Sequence, residues 1–511
     1  MKIIPRRLDW LLLLVLSISV FFRFYKFEDL QYWSGDEELV AATIRHIIWD
    51  KSPTLLVQNA NLEFGLGPFY HYVLTPFYFA ANFNLVVLQS VASILGVITT
   101  FLVYKIGLEL LGRRYGLISS FIYASSFFIA LYDRRLWHLT LNSFLMAIAI
   151  FLLVRLIKGK KKWGFLLAIP IGFAFHSDAS LIVIVISIFF LWIIKRFSFG
   201  SKNRFLGLLI LGIFAAPLLL ADVRYNGSFR KAVIQSLARP LKGENITSHN
   251  FRLFEFTDFT QTLSKVVIVS PSNFIEQEFC YCKNPKAPLG IAGLILVLLT
   301  LLFTIVLIKK KRSYNIVWSL ILSSTVSLFI GIFIFNSLFR GNFHQHYFVI
   351  MFPVFAILIG VFINEIPRKN NFFLGIILSA FFLTNLYSLI NSNVKYPLAK
   401  KIRLVERSLE TISSEQFSLK ASEDPYIQGG GWTELYTLIG HPAVRSYWYD
   451  YWEWIYSAYS LYPIAIKNED PGKIVLIQKA GENLDLEGKV LLSSYSYKDI
   501  ELLVIDNSSP E

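Results

Sequence analysis

The stretch LVVLQSVASILGVITTFLVYKIGL, residues 85–108, carries a single charge, Lys105, and runs into Arg113-Arg114. About 20 apolar residues in a helix cross the hydrocarbon of a bilayer, so these residues read as a transmembrane span with a basic flank. Working outward, ten more stretches share that character: 8–24, 116–132, 140–157, 163–176, 179–195, 204–222, 288–308, 314–337, 345–364 and 372–390. The spans at 163–176 and 179–195 are short and share the turn His176-Ser177-Asp178, so one broken or re-entrant pair there would change the count by two. Lys2, Arg6 and Arg7 precede the first span as in a signal peptide. Phe21-Phe22-Arg23-Phe24 offers no small-residue cleavage site, however, so the span reads as an uncleaved anchor.

Composition agrees. The 511 residues are 55% hydrophobic and 16% charged, where a soluble protein carries about 25% charged residues. A soluble enzyme, a disordered chain and a disulfide-stapled module are excluded. A net charge of +14 would suit nucleic acid only as a continuous stripe. Here the basic residues fall in short clusters between apolar runs, the positive-inside pattern of a multi-pass membrane protein. No nucleic-acid partner is expected. With the N-terminus in the cytoplasm, the inside segments hold Arg113-Arg114, Lys158 to Lys162, Lys195-Arg196, Lys309 to Arg312 and Arg368-Lys369. The short outside turns hold only Arg134, Arg135 and Arg340. That orientation puts loops 25–84 and 223–287 outside, together with an acidic tail. Cys280 and Cys282, one residue apart, are too close for an unstrained bridge and read as loop thiols.

The expected architecture is therefore an all-α polytopic membrane bundle of about eleven transmembrane helices, residues 1–390. A small α/β extracytoplasmic C-terminal domain, residues 391–511, follows it. In that tail a helix is predicted over 399–413 and strands over Lys473–Gln478, Val490–Ser494 and Ile500–Ile505. Within the first outside loop, Val40, Ile44, Ile47 and Ile48 make one apolar helical face. That spacing predicts a short helix lying on the membrane surface.

No nucleotide-binding loop, HExxH or paired CxxC occurs, so energy would come from an ion gradient or an activated substrate. Chemistry-bearing residues gather instead at the outside ends of spans. Trp33-Ser34-Gly35-Asp36-Glu37-Glu38 holds three adjacent carboxylates. One of them could serve as general base; equally, Ser34 and Glu37 have the spacing of a helix capping box. Tyr132-Asp133-Arg134-Arg135-Leu136-Trp137-His138 offers guanidinium forks for phosphate oxygens, or an interfacial anchor. Arg340 through Tyr347, with His344 and His346, would contact phosphate or sugar, or pack at the interface. His176 and Asp178 could pair with each other, and Asp222 with Arg224. Tyr447 to Trp454 is an aromatic run suited to sugar stacking, membrane contact or docking on the bundle. Polar groups at one membrane depth on several spans imply a common cavity there.

At these residues the chain resembles the GT-C membrane glycosyltransferases, in the branch holding the protein O-mannosyltransferases and the lipid A aminoarabinose transferase. The likeness runs over roughly 8–365. It rests on Asp36-Glu37 in the first outside loop, GPFYHYVLTPF (67–77), YDRRLW (132–137) with Arg134 as the family's arginine, GFAFH (172–176), PLLLADVRYN (217–226) and HYFVIMFPV (346–354). His138-Leu139 stands where Asn-Pro is usual, and His176-Ser177-Asp178 where a lysine is frequent.

The resemblance implies an inverting hexosyl or pentosyl transferase. Its donor would be a polyprenyl-phosphate sugar, and its acceptor hydroxyl would sit on a glycan, lipid or protein outside. Asp36 and Glu37 would be catalytic. Arg134, Arg135, Arg340 and His346 would hold the donor phosphate, and Tyr70, Trp137 and His176 would contact substrate. No cofactor is expected; a divalent metal is possible but unsupported. The alternative is a secondary transporter or a lipid flippase of glycan precursors, for which repeats and midplane charges would be the sign.

Overall fold

A computed structural model describes residues 9–49, 51, 53–57, 65–238, 253–269, 314–338, 345–365, 371–394, 397–422, 430–447, 471–482 and 488–507. The bundle begins with α1 (Trp10–Phe24), α2 (Gly35–Trp49), α3 (Phe69–Ala80), α4 (Leu85–Leu111), α5 (Arg113–Ser125), α6 (Phe127–Asp133) and α7 (Thr140–Ile157). It continues with α8 (Ala168–Gly172), α9 (Ile182–Lys195), α10 (Ser201–Arg224), α11 (Ser228–Ala238) and α12 (Leu253–Val267). The last bundle helices are α13 (Tyr314–Leu338), α14 (Phe352–Glu365) and α15 (Asn371–Asn391). Among the described residues six helices are long and apolar enough to cross a membrane, and the bent α5–α6 pair can be read as a seventh. α1 and α9 are shorter apolar helices. Leu208, Leu219 and Phe372 point outward, as lipid-facing side chains do.

Apart from two spans, the expected bounds are close to the observed ones among the described residues. The span expected at 288–308 lies outside the described residues, as do Cys280, Cys282, Arg340, His344 and residues 448–454. Two expectations are corrected. The stretch 163–176 is no single helix. It is 3-10 turns at Lys161–Leu167 and Phe173–Phe175 around the five-residue α8. The stretch 116–132 is broken by a 67° bend between α5 and α6.

That bend has a sequence cause and a structural consequence. Ser126 caps α6, and its hydroxyl donates to Val266 O at 2.8 Å. A break inside apolar surroundings leaves main-chain groups without helical partners. Phe127 N finds Asn385 Oδ1 at 2.8 Å. The carbonyls of Tyr123 and Ala124 accept from the Arg23 guanidinium at 3.4 and 3.2 Å. Arg23 also pairs with Asp133 at 2.6 Å, both buried. A charge in this environment is tolerated only when paired, so the pair fixes α1 to the end of α6. Residues 134–139 then emerge as a turn at the polar end of the bundle.

The tail forms α16 (Leu398–Ile412), β1 (Phe417–Ala421), α17 (Thr433–Leu438), β2 (Arg445–Ser446), β3 (Lys473–Lys479), β4 (Val490–Tyr497) and β5 (Ile500–Asp506). The sheet order is β2-β1-β3-β5-β4. β1 runs parallel to β2 and β3, whereas β5 is antiparallel to β3 and β4. α16 turns Leu404, Val405 and Ile412 into the core and packs on β4 and β5. The α/β character matches the expectation; β1, β2 and α17 are additions.

Candidate active site

The site is built where the segment between α1 and α4 meets the turn after α6. The acidic cluster opens α2, and the capping-box reading describes part of it. Ser34 donates to Glu37 Oε2 through its main-chain N–H at 3.0 Å and its hydroxyl at 2.6 Å. That leaves Glu37 Oε1 free to accept from Arg135 Nε at 2.6 Å. One carboxylate therefore does both jobs, capping the helix with one oxygen and holding a guanidinium with the other. Glu37 is fully buried and Arg135 is 3% exposed. Asp36, at 3.6 Å from Arg135, keeps 41% of its side chain exposed. The two carboxylates thus differ in kind: Glu37 is sequestered, and Asp36 faces solvent.

Arg135 is clamped by aromatic faces, with its guanidinium carbon 3.8 Å from the Trp137 ring centre and 4.8 Å from that of Tyr32. Cation–π contact of this kind holds a desolvated guanidinium flat. The turn itself is pinned by Thr140, which accepts from Trp137 N at 3.0 Å and donates to Arg135 O. His346 lies edge-on to Trp137, ring centres 5.2 Å apart.

Tyr70, on α3, is buried beside Thr140, Glu37 and Arg135, and burial pushes its phenol well above the usual tyrosine range. It stays a neutral hydroxyl. The next residue, His71, is buried with both ring nitrogens lacking a hydrogen-bond partner among the described residues. Burial and the neighbouring His138 push it down to about 3. Its imidazole is neutral at any physiological pH.

The other candidates divide. Arg134 points away from Asp36 and Glu37. Its Nη2 donates to Phe22 O at 2.7 Å and Tyr25 O at 2.9 Å, capping the end of α1. Of the adjacent arginines, then, Arg135 joins the carboxylates and Arg134 braces the bundle. His176 does not pair with Asp178. Its Nε2–H donates to Phe214 O at 2.8 Å, and its Nδ1 accepts from Phe69 N at 3.4 Å. A Cβ on Gly67 would lie 2.0 Å from that ring, so glycine is required where the loop crosses it. His176 is thus a tie between that loop and α10. Asp178 faces His138 instead, at 3.6 Å. Asp222 accepts from Arg230 N at 2.8 Å, a carboxylate placed at the N-terminal end of α11, where free main-chain N–H groups favour it.

The helix α2 is corrected as well. It does not lie on a membrane surface, because Glu37 through His46 are buried. α3 covers one side and α17 of the tail the other. Sequence reasoning missed the tail's share of this neighbourhood: Glu434 takes both Arg45 Nε and Nη2, at 2.8 and 2.9 Å. Nothing in the local pattern of either residue marks the pair. Among the described residues no group of three His, Cys, Asp or Glu is placed to hold a metal ion.

Known proteins share the fold of this chain and, over part of it, its sequence pattern. Residues 66–220 match the family model of the dolichyl-phosphate-mannose-protein mannosyltransferases. That stretch contains Tyr70, Arg135, Trp137 and His176 but not Asp36 or Glu37. By sequence, no curated protein matches. Among solved structures the chain superposes on ArnT from Cupriavidus metallidurans bound to undecaprenyl phosphate. The TM-score is 0.60 at 11% identity, over 99% of this chain and 100% of that one. The apo state of the same protein gives 0.60 at 11% identity, covering 96% and 97%. The oligosaccharyltransferase of Archaeoglobus fulgidus with zinc and sulfate gives 0.52 at 15% identity, covering 92% and 68%. At such identities the likeness is one of fold. In fold the chain is similar to ArnT and to the archaeal oligosaccharyltransferase, and its sequence likeness to the mannosyltransferase family model lies in residues 66–220.

Proposed function

We propose that the protein is a membrane glycosyltransferase that moves a sugar from a polyprenyl-phosphate donor to an acceptor hydroxyl on the extracytoplasmic side, with inversion at the anomeric carbon. The observation that carries this reading is the Asp36–Arg135–Glu37 cluster, a solvent-facing carboxylate against a buried guanidinium at the polar end of a GT-C bundle. A lipid phosphate leaving group is already an anion, so it needs a cation and not an acid. Arg135 supplies that charge, and its Trp137 and Tyr32 faces exclude water from it. Asp36 orients and deprotonates the acceptor hydroxyl, a role suited to the exposed carboxylate. Glu37 is committed on both oxygens and positions Arg135. Tyr70, Trp137 and His346 line the same neighbourhood and suit contacts to the sugar. His176 is committed to Phe214 O and Phe69 N and ties the loop before α3 to α10.

The solved ArnT structure holds undecaprenyl phosphate, which supports a lipid-linked donor here. No resident cofactor is part of the reading. The test is transfer from a labelled polyprenyl-phosphate sugar in reconstituted membranes. Asp36→Asn should abolish turnover while folding is kept, and EDTA should leave wild-type turnover intact. Undiminished transfer by Asp36→Asn would remove that residue from the mechanism.

A further inference from the structure

We propose that the tail domain is part of the transfer site, and that Glu434 and Lys401 are positioning residues that seat α2 so that Asp36 and Glu37 meet Arg135. The proposal rests on the glycosyl-transfer reading above and goes beyond it, because it assigns a role to a region that the chemistry does not touch.

The observations are directional contacts on both sides of the acidic cluster. Before it, Trp33 Nε1 donates to Gly431 O at 2.7 Å, and Lys401 donates to Trp33 O at 2.6 Å and to Gly430 O at 2.5 Å. After it, Glu38 Oε1 accepts from Glu434 N at 2.6 Å. About two turns further along, Arg45 makes its two bonds to Glu434. All of these side chains are buried. Glu38 and Arg45 are seven residues apart, so they share a face of α2. Glu37 is rotated by about 100° from Glu38 and turns to Arg135. The helix is therefore held on two faces, one by the tail and one by the turn after α6.

Apolar packing alone would let α2 slide and rotate, because dispersion and hydrophobic contact are non-directional. Hydrogen bonds to charged groups fix rotation and height. Gly431 fits this purpose, with φ of +74° and a position where any Cβ would lie 2.6 Å from Trp33 Nε1. Glu434 is saturated by Arg45 and cannot reach substrate as well, which makes it a positioning group and not a catalytic one. A reacting group displaced by about 1 Å loses on the order of a hundredfold in rate, so a loosened α2 should show in turnover.

The experiment uses the full-length chain in nanodiscs with the labelled polyprenyl-phosphate sugar. Lys401→Met and the double variant Arg45→Met/Glu434→Met are made. Apolar replacement of a buried ion pair commonly leaves stability intact, so the double variant keeps the fold while removing the Arg45–Glu434 bonds; the main-chain N–H of residue 434 still reaches Glu38. The expected result is a normal melting temperature, donor KM within about threefold of wild type, and kcat lower by about tenfold to a hundredfold. A tail that is only a structural appendage would instead move the melting temperature and leave kcat alone. Wild-type kcat in a double variant that melts normally would overturn the proposal. If Lys401→Met melts early, the double variant decides. If both melt early, kcat per folded molecule below the melting point decides in the same way. If the wild-type chain transfers no sugar, it is the functional reading that fails, before the positioning role is tested.

Discussion

Arg135 is the residue on which structure and chemistry make the sharpest joint demand. Removing it alone, as Arg135→Met, leaves Glu37 buried with one oxygen unpaired. Breaking a buried pair from one side typically costs about 3–5 kcal/mol, so the single variant should melt early whatever its role in transfer. The informative variant is Arg135→Met with Glu37→Leu. It removes both buried charges, while Asp36, being 41% exposed, remains hydrated. Stability should return to within about 1–2 kcal/mol of wild type. Turnover should not return. A charge that stabilises a leaving group in a water-poor site is worth about 2.7–4 kcal/mol, a factor of about a hundred to a thousand in kcat. The assay pairs thermal unfolding in detergent with single-turnover transfer from labelled lipid-linked sugar. Arg135→Lys adds a middle point, since it retains the charge but not the planar fork that stacks between Tyr32 and Trp137. If the double variant recovers turnover together with stability, Arg135 serves only to neutralise Glu37, and the phosphate is held elsewhere.

Three further outcomes are expected. Arg134→Gln should lower the melting temperature without changing donor KM, because Arg134 caps the carbonyls of Phe22 and Tyr25 and faces away from the carboxylates; a raised donor KM would return it to the phosphate site. His71, held down near 3 by burial, binds a proton more readily unfolded than folded. Its contribution to stability is complete above about pH 6.5 and is lost as pH falls toward 3, on the order of 4 kcal/mol in all. His71→Phe should flatten that acid limb in pH-dependent unfolding, and an unchanged limb would count against a neutral buried imidazole. For orientation, single cysteines at Lys160 and Lys498 in a Cys280→Ser/Cys282→Ser background should react oppositely with a membrane-impermeant thiol reagent in intact cells. Lys498 should label and Lys160 should not; the reverse would invert the topology.

What could be read in advance follows from the range of the interactions involved. Transmembrane helices announce themselves through length and apolarity, which are local, and so their bounds were within a few residues of the observed ones. The bend in α5–α6 has no local mark because Ser125-Ser126 are two small residues in an otherwise apolar run, and the groups that satisfy the break, Val266 O for Ser126 and Asn385 for Phe127, lie in other helices. Arg134 and Arg135 have the same chemistry at adjacent positions. Which one meets Asp36 depends on how the chain leaves that bend, a property of the fold and not of either residue.

The misreading of α2 is the most instructive case. Val40, Ile44, Ile47 and Ile48 make a true apolar face, and a helix with such a face beside a membrane is reasonably laid on its surface. The polar face carries the contrary signal. Glu38 and Arg45 would be solvated on a surface helix, yet here both are buried, joined through Glu434, which lies 389 residues from Arg45. A charged pair at a helical repeat of seven reads locally as solvent-facing; here distant groups turn it inward, the Glu434 carboxylate for Arg45 and the Glu434 main-chain N–H for Glu38. The same logic explains why the acidic cluster was legible as a candidate site while its support was not. Asp36 and Glu37 lie next to each other in sequence, whereas the contacts to Trp33, Glu38 and Arg45 on either side of them come from the far end of the chain.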